Sequence, residues 1–192
     1  MHKRSESFFS GYDKTKLFLQ KWTSIEAKLT VLITHGQGEH SDSYNRLIHG
    51  LDLLFPSRFN FIGWDLRGHG KSQGIRGYAK DFDEYVLDFQ CFLESVQKQP
   101  ELQKKPVVLL SHSMGGIVQA CDLSEKVHLK DLIKAQILSA PLFGVAVNVP
   151  EWKDRGANVI NKLLPKLTLG NEIKNSQLTR DLDVIREFEQ LR

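Results

Sequence analysis

Residues 107–118, VVLLSHSMGGIV, run four apolar residues into a serine set among small residues, and then into a glycine-rich helical pattern. Ser111-His112-Ser113-Met114-Gly115 has the form G-x-S-x-G with serine in place of the first glycine. A strand that turns this abruptly into a helix has room only for small side chains two before and two after the turning residue. Serine is small enough for the first of these positions. The same turn lifts the hydroxyl of Ser113 above the carboxyl end of the strand and points the N-terminus of the following helix at any oxyanion formed there. Ser113 is therefore the candidate nucleophile, and the pattern requires a strand before it and a helix after it.

The rest of the chain supplies the matching elements. LTVLIT (29–34), FNFIGW (59–64), VVLL (107–110) and AQILSA (135–140) are continuous apolar runs, as expected of strands covered on both faces of a parallel sheet. KLFLQKW (16–22) alternates instead and reads as an early antiparallel strand. Between them, Tyr44, Leu47, Ile48, Leu51 and Leu54 follow a helical period, as do Phe82, Tyr85, Val86, Phe89, Phe92, Leu93 and Val96. Asp81 followed by Glu84 resembles a capping box. Strand and helix alternating in this way predict an α/β fold with a doubly wound, mostly parallel sheet and right-handed crossovers. With 192 residues, 41% of them hydrophobic, the chain can bury a substantial core. After SAPLF the character changes. Pro150, Gly156, Pro165 and Gly170 divide short amphipathic pieces, so residues 1–143 read as the core and 144–192 as a helical cap insertion. The last helix, TRDLDVIREFEQLR, runs to the terminus without a glycine or proline stop.

Charge and composition narrow the function. Lys and Arg exceed Asp and Glu by 26 − 23 = 3, and they are scattered, so no nucleic-acid partner is expected. A mildly basic surface still suits anionic lipid. Cys91 and Cys121 fall in apolar helical patterns and read as buried thiols of a reducing compartment. The N-terminal MHKRSESFF lacks an apolar signal region, and no window reaches the ~18 apolar residues of a membrane span; the expected location is cytoplasmic. GWDLRGHGKSQG (63–74) lacks the spacing of a dinucleotide fingerprint, and no P-loop is present. His35, His40, His69 and His112 lack metal-site spacing. Neither cofactor nor metal is expected, and Asp65, Arg67 and His69 read as structural supports of a loop.

THGQGEHSDSY (34–44) follows the strand at 29–34 directly. Its glycines serve either a loop that needs φ > 0 or the close approach of a backbone N–H to a reacting carbonyl. Taken with the elbow at Ser113, the second reading makes the amides of Gln37 and Met114 the pair of oxyanion donors.

HGQGEHSDSY, GWDLRGHGKS and LLSHSMGG, in this order, resemble the monoacylglycerol lipase and lysophospholipase branch of the α/β-hydrolase fold. The similarity covers nearly the whole chain, including LSAPLF and LPKLTLGNEI. It implies Ser113 as nucleophile, the Gln37 and Met114 amides as oxyanion hole, and residues from about 144 onward as a lid for an acyl chain. Glu39 and His40 match the family's loop without being its general base. The implied substrates are monoacylglycerols, lysophospholipids or other acyl esters. In this fold the acid and histidine follow the serine on later loops. His128 is the one histidine after Ser113 and comes before the next strand; Asp154, Asp181 and Asp183 fall in the lid, and SAPLF carries no carboxylate. The triad acid and histidine are thus not found, and the expectation is an incomplete hydrolase lacking its C-terminal strands, about 60 residues of two further βα units. A C-terminal fragment or second chain would then complete the sheet. Two other readings stay open: a non-catalytic module of the same fold that binds lipid or a partner, and a hydrolase of thioesters or small esters. Trp152, Val159, Ile160, Leu163 and Leu164 form either a membrane-facing patch or a packing face.

Overall fold

A computed structural model of the chain describes residues 2–100, 105–125, 132–144 and 181. Strands β1 (Lys3–Ser10), β2 (Lys16–Thr23), β3 (Leu29–Thr34), β4 (Phe59–Trp64), β5 (Val107–His112) and β6 (Ile133–Ser139) form one sheet in the order β1-β2-β4-β3-β5-β6. β1 and β2 pair antiparallel, as do β2 and β4, whereas the pairs β4–β3, β3–β5 and β5–β6 are parallel. Helices α1 (Asn45–Leu54), α2 (Asp83–Gln97) and α3 (Met114–Glu125) provide the crossovers. The fold is the mostly parallel α/β sheet that the alternation of runs predicts.

Each face of the sheet has its own core. Under α1, Ile48 and Tyr44 pack with Trp22, Val31, Ile33 and Phe61. On the opposite face, α2 and α3 cover Leu32, Ile62, Trp64 and Leu109 through Tyr85, Phe89, Phe92, Leu93, Met114 and Val118. Trp64 is central there: its ring stacks on Phe92 at 5.3 Å and on Phe89 at 6.3 Å, and meets the edge of Phe9 at 5.9 Å. Each such buried side chain contributes about 1.5–3 kcal/mol by its removal from water. Coverage on both faces is why β3 and β4 are continuous apolar runs, buried at every residue but the first.

The structure adds one strand to the sequence reading and corrects three of its expectations. β1 is a strand that KRSESFFS does not announce, because an edge strand needs a partner only on one side. Its Phe8 and Phe9 lie opposite Phe18 and Leu17, and this pairing brings Phe9 into the core. β6, read as covered on both faces, is the outer strand of the described sheet and alternates in exposure, with Ile137 53% exposed. The capping box is displaced. Phe82 is the N-cap; the Asp81 carboxylate accepts from the Asp83 N–H, and the Glu84 carboxylate accepts from the N–H of Lys80 instead of Asp81. Both cysteines are free, but Cys91 is half-buried and Cys121 exposed.

The segment assigned to a cap lies outside the described residues, Gly144 and Asp181 excepted, as do His128, Asp154, Asp183 and the five apolar residues between 152 and 164. Asp181 is exposed and accepts a hydrogen bond from Arg46 on α1 at 3.1 Å. Among the described residues no helix is long and apolar enough to cross a membrane.

Candidate active site

β5 ends at His112 and α3 begins at Met114, so the whole reversal falls on Ser113, which adopts φ 49°. A left-handed conformation is costly for a residue with a side chain and persists only where the surroundings fix it. Here they do. The Ser113 N–H donates to the carbonyl of Ser139 at the end of β6, at 3.0 Å, and the Ser113 carbonyl accepts from the N–H of Gly116 at 3.0 Å and of Leu142 at 3.2 Å. The need for small neighbours is equally visible. A Cβ on Gly115 would lie 2.5 Å from the carbonyl oxygens of both Thr34 and His35, and one on Gly36 would lie 3.0 Å from the Cβ of Ser113. The three strand-end loops are therefore pressed backbone against backbone around the serine.

Ser111, the departure from the glycine pattern, is fully buried, and its hydroxyl has no partner among the described residues. Burying a hydroxyl unsatisfied costs about 1–3 kcal/mol. Ser111→Ala keeps the small volume and removes that cost, so it is expected to raise stability by about 1 kcal/mol in urea denaturation. A loss of stability would show that the hydroxyl is bonded in solution.

The loop after β3 is tied down at both ends. Glu39 Oε2 accepts from the Gly36 N–H at 3.0 Å and from the Tyr44 hydroxyl at 3.2 Å, while Oε1 lies 3.6 Å from Nε2 of His112. Burial, then the carboxylate of Glu39, pushes the Tyr44 phenol well above its ordinary pKa and keeps it a donor. His112 Nδ1 reaches Ser139 Oγ at 3.4 Å. His35 is fully buried; desolvation above all, then the neighbouring His69, holds its pKa down at about 3, so the imidazole is neutral. The N–H groups of Gln37 and Met114 have no acceptor among the described residues.

The loop after β4 is the support that its sequence suggests. Asp65 accepts from the N–H and hydroxyl of Ser41 at 2.7 and 2.6 Å and from the Lys71 N–H at 2.8 Å. Arg67 makes a two-pronged contact with Asp88 on α2 at 2.6 and 2.9 Å, reaches Glu84 at 3.1 Å and Asp13 at 3.3 Å, and lies over the Tyr12 ring. His69 donates from Nδ1 to the Arg67 carbonyl.

The structure thus brings together Ser113, Met114 and the Gly36–Gln37 segment. A cavity of about 390 Å³ is lined by Glu39, Ser43, Tyr44, Leu47, Leu110, Ser111, His112 and Ser139. Among the described residues no imidazole is within hydrogen-bond distance of the Ser113 hydroxyl. Sequence reasoning missed the anchoring roles of Tyr44 and Ser139, since neither belongs to a pattern of chemistry-bearing residues.

The family described as serine aminopeptidase S33 matches residues 25–191. Monoglyceride lipase of Homo sapiens is 34% identical over 175 residues, which cover 88% of this chain and 54% of that protein. Phospholipase YtpA of Bacillus subtilis is 27% identical over 164 residues, covering 85% of this chain and 60% of that one. Among solved structures, a soluble variant of monoglyceride lipase from Saccharomyces cerevisiae, in complex with a substrate analog, superposes with a TM-score of 0.69 at 22% identity. That superposition covers 91% of this chain and 58% of the yeast chain. The chain spans little more than half the length of these proteins.

Proposed function

The chain belongs to the serine aminopeptidase S33 family of α/β-hydrolases, and from that premise we propose that it carries the nucleophile and oxyanion half of a serine hydrolase of single-chain acyl esters, of the monoacylglycerol or lysophospholipid type. The observation that carries this reading is the left-handed Ser113 at the strand–helix reversal, with the N–H groups of Met114 and of Gln37, next to the Gly36 that abuts Ser113, unengaged among the described residues.

In this mechanism the Ser113 hydroxyl adds to the ester carbonyl as its proton passes to a base, and the carbonyl oxygen becomes an oxyanion. The N–H groups of Gln37 and Met114, helped by the N-terminal end of α3, stabilise that charge. Collapse expels the alcohol and leaves an acyl-serine, which water cleaves through a second oxyanion in the same place to return Ser113 and release the fatty acid. The acid and base of the triad are not among the described residues. We assign 144–192 to a cap over this site, receiving the acyl chain. The names of the human and Bacillus relatives support a lipid ester as substrate.

Free fatty acid released from a long-chain monoacylglycerol, a lysophosphatidylcholine and a short p-nitrophenyl ester tests the proposal. With the acid and histidine of the triad supplied, the expected result is release from the lipid esters that falls at least ~10³-fold in Ser113→Ala. Fatty-acid binding without turnover, indifferent to that substitution, would instead make the chain a lipid-binding module.

A further inference from the structure

His35 is contacted through both ring nitrogens. Nε2 accepts a hydrogen bond from the Leu66 N–H at 2.9 Å, so the single proton of the neutral ring sits on Nδ1, which donates to the carbonyl of Gly36 at 2.7 Å. That carbonyl and the N–H of Gln37 belong to one peptide unit. In a planar trans peptide they point in opposite directions. Holding the carbonyl against the buried ring therefore turns the Gln37 N–H outward, on the side of a segment whose Gly36 abuts Ser113.

We propose that His35 is the positioning residue of the oxyanion site, fixing the Gly36–Gln37 peptide plane so that the Gln37 amide stays aimed beside Ser113; this rests on the reading of Gln37 as an oxyanion donor. The other bond to the Gly36 carbonyl comes from the Glu39 N–H at 3.3 Å, within the same loop, and moves with the loop instead of anchoring it. The anchor is Leu66. It lies between Asp65, held by Ser41 and Lys71, and Arg67, held by Asp88, so its N–H is referenced to two other elements. The loop after β4 thus acts on the reaction through one imidazole. Oxyanion donors stabilise the transition state only when they are already in place, which gives this clamp a catalytic consequence beyond folding.

Two substitutions divide the ring's functions. In His35→Asn the side-chain amide takes the place of Nδ1–H and keeps the bond to Gly36 while losing Leu66. In His35→Gln the side-chain oxygen reaches the place of Nε2 and keeps Leu66 while releasing Gly36. Both shrink the same buried side chain, so a merely structural role lowers Tm and every other property alike. The experiment measures ¹⁵N relaxation of the Gln37 amide and the rate of phosphonylation of Ser113 by a fluorophosphonate, in the full chain and both variants. The expected order parameter at Gln37 is near ~0.85 in the wild type and His35→Asn, and below ~0.6 in His35→Gln. Phosphonylation is expected to fall roughly 10²–10³-fold in His35→Gln and about tenfold or less in His35→Asn. Equal behaviour of the two variants in both measurements, tracking Tm, overturns the proposal. Should the wild type itself take up no label, the nucleophile reading fails, and the order parameters alone decide whether His35 clamps the peptide.

Discussion

Arg67→Met lowers the unfolding free energy by about 3–5 kcal/mol. Arg67 and Asp88 are both nearly or fully excluded from solvent, and each is the other's main partner. Removing the guanidinium leaves the Asp88 carboxylate buried, with only the Tyr12 N–H at 3.3 Å among the described residues to solvate it. The cost is the desolvation of that orphaned charge more than the loss of an attraction. The contact also joins three distant pieces, the β1–β2 turn through Asp13, α2 through Asp88 and Glu84, and the loop after β4. Urea denaturation of Arg67→Met, Asp88→Leu and the pair checks this. The double variant is expected to recover most of the loss, and a single variant within 1 kcal/mol of wild type would contradict the account.

Gly115→Ala is the second large effect, and it acts on chemistry. The added methyl would sit 2.5 Å from two backbone carbonyl oxygens, of Thr34 and His35, neither of which can rotate away as a side-chain tip can. α3 must then move off β3, carrying the Met114 N–H with it, while Ser113 remains in place on the strand end. Loss of one oxyanion donor costs about 10²–10³ in rate, and, with the Met114 amide in the role proposed for it, that reduction is expected in the phosphonylation of Ser113. The displaced helix also lowers Tm. An unchanged labelling rate would show that Met114 contributes nothing through its amide.

The regular elements were legible in the sequence because their burial is written in period and composition. α2 presents Tyr85, Val86, Phe89, Phe92, Leu93 and Val96 to the core as their spacing predicts. The elbow was legible for a different reason: its geometry excludes all but small residues at two positions, and Gly115 and Ser111 report that exclusion directly. β1 was not, since its burial depends on pairing with β2 and only Phe9 carries a signal of it. The support of the site was least visible. Hydrogen bonds such as Leu66 to His35 and Ser41 to Asp65 join residues 31 and 24 apart, and their partners are backbone groups or a serine that no local pattern marks. Glu39 and His40 stood together in the motif, yet only Glu39 holds the Gly36 N–H.

The most direct test of the account is intact-mass analysis of the chain after exposure to a fluorophosphonate, followed by peptide mapping. Oxyanion stabilisation alone retains roughly 10³–10⁴-fold catalysis when triad members are removed, so slow labelling is expected even where the base contributes nothing. The expected result is a single adduct on the peptide containing Ser113, absent from Ser113→Ala. No adduct over hours, or one that persists in Ser113→Ala, would contradict the assignment of Ser113 as the nucleophile.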